Sequence, residues 1–266
     1  MLILWTYALP PLLLLAALAW GYAARRRNVN IVDSLWSLFF LLASAIYLAA
    51  AGTAMPAALL LFAMVACWAV RLSVHLFIRN HGKAEDHRYA AMRARNPRFN
   101  QQSLFTVFGL QAVLAWLISL PLASALLSPA PLHPLHLAGA GLFVIGLTFE
   151  AVADWQLARF KARPDSRGKV LDSGLWRYSR HPNYFGEAVI WWSFYLFALA
   201  SGAAWTVIAP LLMTVLLLKV SGVSLLEKDI HQRRPAYRHY IETTSAFIPW
   251  KPGAQVTTMS SAQEPR

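Results

Sequence analysis

Charge is what this 266-residue sequence has least of, and acidic charge least of all. Only 14% of positions are charged, and 12 Asp and Glu stand against 24 Lys and Arg. With 58% of positions hydrophobic, that scarcity excludes an ordinary soluble domain, in which charged residues make up about 25%. Cysteine is almost missing. The single Cys67 cannot form an intrachain disulfide, which excludes a disulfide scaffold. No glycine-rich fingerprint opens a helix after a strand-like run, so Rossmann and P-loop nucleotide sites are excluded. No Ser/His/Asp nucleophile arrangement is present. His133 and His136 lie in a Pro-rich loop without the partners of a metal site, and His81, Glu85, Asp86 and His87 read as a solvated charged loop, so no metal is expected. The first apolar stretch, Leu2 to Ala24, has no basic residue before it and is too long for a signal-peptide core. It is expected to be a retained span.

What the chain has instead is apolar runs near the bilayer-crossing length of about 20 residues, recurring from end to end. Their pattern predicts an all-α fold: a polytopic membrane helix bundle of seven transmembrane helices. The spans fall at 2–24, 29–51, 56–78, 104–127, 136–157, 183–200 and 204–225. The last two meet at Ser201-Gly202 as a tight helical hairpin, with a re-entrant segment as the alternative for one of them. The formal charge of +12 tempts a nucleic-acid reading, but its placement answers that. All basic residues except Arg71 and Lys219 fall in the first, third and fifth connections and the C-terminal region, while the intervening loops hold none. By the positive-inside rule this predicts N-out, C-in, with the basic side cytosolic. No nucleic-acid partner is expected. Residues 1–250 read as one transmembrane bundle domain. The polar tail, 251–266, reads as disordered.

Ionisable residues inside spans are costly and usually face a cavity or a partner. Here they include Asp33, Arg71, His75, Glu150, Asp154 and Glu187, with Glu227 at a span border. Arg71 and His75 are four apart, as are Glu150 and Asp154, so each pair shares one helix face. All sit toward the basic side of their spans, as though lining a cavity open to the cytosol. Leading into the sixth span is the densest stretch, Gly174-Leu175-Trp176-Arg177-Tyr178-Ser179-Arg180-His181-Pro182-Asn183-Tyr184-Phe185-Gly186-Glu187. Pro182 suits a first helical position. A helix start flanked by Arg177 and Arg180 favours an anionic group such as a phosphate, and the aromatic and amide side chains downstream could hold a ring. An interfacial Arg/Tyr/Trp belt and interhelical ion pairs are the structural alternatives.

These residues resemble the membrane-bound steroid 5-alpha-reductase-like superfamily and, within it, the bacterial DUF1295 group. The resemblance rests on three segments: Glu150 and Asp154 through Glu187; Arg71-Leu72-Ser73 with Arg79 and Glu85-Asp86-His87-Arg88-Tyr89; and Glu227 with Arg233-Arg234-Pro235-Ala236-Tyr237-Arg238-His239-Tyr240 and Phe247-Ile248-Pro249. It implies a seven-helix bundle holding NADPH in its cytosolic half and an apolar enone above it. Cofactor contacts carry over to Asp154, Tyr178, Asn183 and Glu187, and phosphate contacts to Arg71, Arg79 and Arg180. Glu150, His181 and Tyr184 belong to the same expected pocket. The implied reaction is NADPH-dependent reduction of an activated C=C bond in a lipid, steroid-like or isoprenoid substrate at a bacterial inner membrane. The sequence departs from the steroid reductases at Leu76, where they carry a proton-donating Tyr. Asp33, with His75 or Tyr89, is the candidate replacement acid pair. Isoprenylcysteine carboxyl methyltransferases share a similar Arg-His-Pro-x-Tyr core, so an S-adenosylmethionine-dependent methyltransferase stays open. So does a non-enzymatic transporter or assembly partner.

Overall fold

Inside a bilayer no water can bond the backbone, so a chain this apolar can cross only as helices that satisfy their own N–H and C=O groups. A computed structural model describes residues 1–52, 55–220, 223, 227 and 236–253, and among these every regular element is helical. In order these are α1 (Leu2–Thr6), α2 (Leu9–Arg26), α3 (Ile31–Ala51), α4 (Pro56–Asn80), α5 (His87–Arg95) and α6 (Phe99–Ser103). A π-helical turn, Leu104–Gly109, leads into α7 (Leu110–Ile118), followed by α8 (Leu120–Leu127), α9 (Pro134–Lys161) and α10 (Pro182–Ala200). Then come α11 (Ile208–Val215), a π-helical turn Leu216–Val220, and α12 (Ala236–Thr243).

Five helical stretches are long and apolar enough to cross a membrane: Leu2–Arg26, Ile31–Ala51, Pro56–Asn80, Phe99–Ile118 and Pro134–Lys161. They correspond to the first five expected spans, and the chain is an integral membrane protein by length and composition. A tight turn is present between the last two expected segments as well. Ser201 and Gly202 turn between α10 and a 3-10 segment, Ala204–Val207, with Gly202 at φ +78° and the Ala203 N–H returning to the Ala198 carbonyl at 2.9 Å. The end of the expected 204–225 segment and most of the expected disordered tail, from residue 254 on, lie outside the described residues.

The fourth segment differs from its expected bounds. Helix begins at Phe99, five residues early, although Asn100, Gln101 and Gln102 are polar. Tertiary anchors hold that turn: the Trp20 indole donates to the Asn100 carbonyl at 2.8 Å, and the Arg93 guanidinium sits 4.9 Å from the Phe99 ring centre. Near the other end the helix breaks at Ser119, because Pro121 has no N–H to continue the ladder. Ser119 instead bonds Tyr47 Oη at 2.8 Å and donates to the Trp116 carbonyl at 2.7 Å.

The chain forms two units: residues 1–144 with 190–213, and residues 145–189 with 214–266. In the first, α3 and α4 pair along their lengths around Phe39, Phe40, Leu61 and Trp68, all fully buried. Trp191 and Phe194 complete an aromatic core, with Phe40 4.6 Å and Trp68 5.8 Å from Trp191 between ring centres. A second anchor joins the N-terminal helix to α7. The Trp5 and Trp116 rings stack at 3.8 Å, and each indole N–H donates to the other residue's carbonyl at 3.1 Å.

That reciprocal arrangement makes the two tryptophans one unit energetically. Trp5→Ala and Trp116→Ala should each lower the unfolding temperature in detergent. The double variant should cost little more than the worse single in the stacking contribution, because removing either ring abolishes the same stack. Additive losses in a thermal-unfolding double-mutant cycle would show that the pair is not coupled.

Candidate functional site

Within the second unit, α9 supplies Glu150 and Asp154, one turn apart and both buried, at 2% and 7% exposure. The segment that follows is tied back onto α9. Gln156 Oε1 accepts the Leu175 N–H at 3.0 Å, and the Trp176 indole donates to the Ala153 carbonyl at 3.0 Å. Gly174 is required there twice over: its φ is +62°, and a Cβ would overlap the Gln156 amide. This fixes the 3-10 turn Gly174–Arg177, so that Tyr178 to His181 lead into α10, which begins at Pro182 as its spacing predicts. Asn183 then donates to Asp154 Oδ1 at 3.1 Å. One turn on, Gly186 lets α10 meet α9 closely, since a Cβ on it would stand 2.5 Å from Glu150 N and 2.6 Å from the Gly146 carbonyl oxygen. Glu187 is buried beside it in sequence.

Arg180 is the centre of a second group in this unit. Its guanidinium holds Glu227 in a fork, Nε to Oε1 at 2.7 Å and Nη2 to Oε2 at 2.9 Å. Its Nη1 donates to the Ile241 carbonyl at 3.0 Å and to the Thr244 carbonyl, and its backbone N–H donates to the Ser245 carbonyl at 2.8 Å. His181 Nε2 lies 2.9 Å from Glu227 Oε1, while its ring stacks on Tyr184 at 5.6 Å. Ser179 Oγ donates to the Phe247 carbonyl at 2.8 Å, and the Tyr240 hydroxyl donates to the Trp176 carbonyl. Burial pushes the Glu227 carboxyl up, but the His181 and Arg180 hydrogen bonds and the Arg180 charge outweigh it and hold the group down at about 2. Burial and the neighbouring Tyr237 push the Tyr240 phenol up.

Asp33, Arg71, His75 and Arg79 belong to the first unit. Asp33 sits in the first turn of α3, where the helix dipole favours a carboxylate. It accepts from the Tyr89 hydroxyl at 3.2 Å and from Asn80 Nδ2 at 3.5 Å, with Arg88 Nη2 3.9 Å away. Arg79 joins this network through Asn80 Oδ1 at 3.2 Å. Arg71 and His75 are half-buried on one face of α4, and Leu76 follows them. The loop that carries Tyr89 is stapled to the residues before α3. Asn30 Oδ1 accepts the Asp86 N–H at 2.8 Å, Glu85 accepts the Val29 N–H at 3.0 Å, and Arg93 holds Glu85 through two bonds of 2.8 Å. Burial raises the Glu85 carboxyl, yet the Arg93 and Val29 hydrogen bonds leave it below its usual range. Asp86 caps α5 by accepting the Arg88 N–H at 3.0 Å. Tyr89 is buried, and burial, together with the negative Asp33, pushes its phenol up.

The structure thus joins Asp154 with Asn183, Arg180 with His181, and Asp33 with Arg79, while Tyr178 is 44% exposed and gives its carbonyl to the Trp250 N–H at 2.9 Å. Sequence reasoning gave no site role to Ser179, Tyr240 and Asn80, and it named Glu227 only as an ionisable residue at a span border. Glu227 carries a readable signal, a carboxylate at the edge of an apolar segment in a basic region. The others act through backbone carbonyls or an amide, which no spacing rule reveals.

Two outcomes follow from this geometry. Gly186→Ala should force α9 and α10 apart and lower stability by roughly 1–3 kcal/mol, read as thermal unfolding of the purified protein; unchanged stability would mean that the close approach is not obligatory. The Glu227 carboxyl is depressed from 4.5 to about 2, so its contribution is complete above pH 4.5 and lost as pH falls toward 2. The stability gap between wild type and Glu227→Gln should therefore be constant above pH 4.5 and shrink below it. A gap that stays flat to pH 2.5 would remove the ion pair from the account.

Comparison with known proteins adds the lineage. Over 271 aligned residues the chain is 28% identical to an uncharacterized protein of Schizosaccharomyces pombe, covering 89% of this chain and 77% of that one. No solved structure matches. Residues 19–244 match the family described as protein of unknown function (DUF1295), and the chain belongs to that family.

Proposed function

We propose that this chain is a membrane oxidoreductase that reduces an activated C=C bond of an apolar lipid, steroid-like or isoprenoid substrate with NADPH. The observation that carries the reading is the Asn183–Asp154 hydrogen bond at 3.1 Å, made where Glu150 and Glu187 are also buried. An amide and carboxylates held in fixed rotamers suit the carboxamide and ribose hydroxyls of a nicotinamide nucleotide better than they suit lipid. Tyr184 and His181 supply stacked aromatic surface for a ring. Arg180 is the weakest fit among the expected phosphate ligands, since its fork already holds Glu227; Arg71 and Arg79 stay as the other expected phosphate ligands.

When bound, the dihydronicotinamide supplies a hydride to the beta carbon of the enone. The protein's own task is to polarise the conjugated carbonyl and provide a proton to the developing enolate. Leu76 cannot do this. Asp33 and His75 remain the candidate catalytic residues, and Tyr89, bonded to Asp33 at 3.2 Å, gives Asp33 the phenol partner that Leu76 fails to supply. The proposal includes seven spans, the N-terminus outside, and the basic loops and cofactor residues facing the cytosol of a bacterial inner membrane. The second reading is a methyltransferase using S-adenosylmethionine. The half-buried Glu227 beside His181 favours it, because that family's core motif is followed by glutamates near its last helix.

The test is a thermal-shift titration of detergent-purified protein with NADPH, NADH and S-adenosylmethionine. NADPH at a hundredfold excess over its Kd should raise the unfolding temperature by roughly 5–10 °C. Asn183→Ala and Glu187→Gln should abolish that shift while keeping the unliganded transition. Selective stabilisation by S-adenosylmethionine would replace the reductase with the methyltransferase, and silence with all three ligands would leave a non-enzymatic partner role.

A further inference from the structure

A cavity of about 340 Å³ lies in the second unit at the C-terminal end of α9, and its lining includes none of Asp154, Arg180, His181 or Asn183. Trp155, Arg159, Phe160 and Arg163 line it from the helix end, and Asp172 lines it from the returning segment. Its walls are set by the Gln156–Leu175 and Trp176–Ala153 hydrogen bonds, so the shape is built into the fold. Asp154 faces Asn183, whereas Trp155 next to it is 57% exposed, so the helix turns a different face to this cavity.

Three features of the lining point to one ligand chemistry. The Arg159 guanidinium is steered over the Trp155 ring, 5.4 Å from its centre, and among the described residues Arg163 has only a long ionic contact, with Asp165 at 3.8 Å, while its side chain is 65% exposed. Both cations can therefore take an anion without breaking a buried pair. Two arginines against the single Asp172 leave a net charge of about +1, which matches a phosphodiester better than a dianionic phosphate ester. Depth adds the third feature. At 1.5 Å per residue, the 28 residues of α9 span about 42 Å, some 12 Å more than the roughly 30 Å hydrocarbon core. The last two turns therefore reach the headgroup layer, where an exposed Trp with Arg is the usual interfacial pair.

We propose that this cavity is a structural binding site for the phosphodiester headgroup of a membrane phospholipid, held by Arg159 and Arg163 beside Trp155, with Asp172 available to an amine on the same headgroup. The inference rests on α9 crossing the bilayer and is independent of the cofactor reading. A free phosphate ion shares the anion chemistry but lacks the apolar tail that places it at this depth and the amine that would meet Asp172.

The experiment is native mass spectrometry of delipidated full-length protein titrated with phosphatidylethanolamine, phosphatidylglycerol or inorganic phosphate. Wild type should bind one phospholipid per chain, and Arg159→Gln/Arg163→Gln should weaken it by about tenfold or more. A control with the same charge change elsewhere, Arg25→Gln/Arg26→Gln, should bind as wild type does. Asp172→Asn should weaken phosphatidylethanolamine selectively. Equal binding by the cavity variant and wild type would overturn the proposal. So would displacement of the lipid by millimolar inorganic phosphate, which would assign the site to a soluble ion. Unchanged thermal transitions of all variants show that folding is intact, and the NADPH titration run on the same samples reports the cofactor reading separately.

Discussion

A buried guanidinium has to be satisfied wherever it lies, and Arg180 satisfies its own with groups that are distant in sequence. Glu227 takes two of its N–H groups, the Ile241 and Thr244 carbonyls take Nη1, and Ser245 takes its backbone N–H. Leaving any of these unpaired in a low-dielectric setting would cost several kcal/mol, roughly 3–5 for the ion pair alone. The second unit is consequently organised around one side chain. The end of α12 and the residues beyond it are held against the approach to α10, where Ser179 bonds Phe247 and Tyr178 bonds Trp250. With that approach fixed, Pro182 starts α10 and Asn183 lies one bond from Asp154. Arg180 ties the distant segments together, and Asn183, three residues on, makes the bond to Asp154.

The first unit meets the same requirement with neutral and charged staples at its helix ends. Asn30 and Glu85 cross-link the residues before α3 to the loop after α4, and Arg93 both holds Glu85 and covers Phe99. The few charges of this sequence are therefore concentrated where helices begin and end. The interior is left to Phe39, Phe40, Trp68, Trp191 and Phe194, the last four of which meet in tilted and edge-on contacts, and the Trp68 and Trp191 indole N–H groups are buried there without a hydrogen bond among the described residues. Between helix bodies of this unit, the Ser37 hydroxyl donates to the Ala69 carbonyl at 2.8 Å, and the Tyr47–Ser119 bond is placed where Pro121 interrupts the ladder.

Much of this is legible before any coordinates. Hydropathy alone locates α2, α3, α4 and α9 within a few residues, because about 20 apolar residues in a row admit few other readings. Pro182 and Ser201-Gly202 mark a helix start and a hairpin through backbone chemistry that is local. The i, i+4 spacing puts Glu150 and Asp154 on one face of α9 and Arg71 and His75 on one face of α4. What could not be read is partnership across sequence distance. Nothing near Arg180 announces Glu227, 47 residues on, and nothing near Phe99 announces Trp20. Helix α6 is missed for the same reason, since its polar turn is stabilised only from outside itself.

The division between glue and chemistry bears on how a reductase could work here. A residue already committed to a neutral, fully bonded fork gives little field to a ligand, so the electrostatic contribution of Arg180 to phosphate binding is spent within the fold. Asp33 is in the opposite position. Its nearest donor is a phenol at 3.2 Å, and the guanidinium of Arg88 is held at 3.9 Å because Asp86 takes it at 2.9 Å. The phenol of Tyr89 is kept protonated by burial and by the carboxylate it faces. The Tyr89 hydroxyl is thus committed to Asp33, and it is placed on α5 by a loop whose geometry Glu85, Asp86 and Asn30 enforce. If the chain is a reductase as proposed, the group that replaces the acid missing at Leu76 would come from this pair, and the loop after α4 would then serve the chemistry as well as the topology.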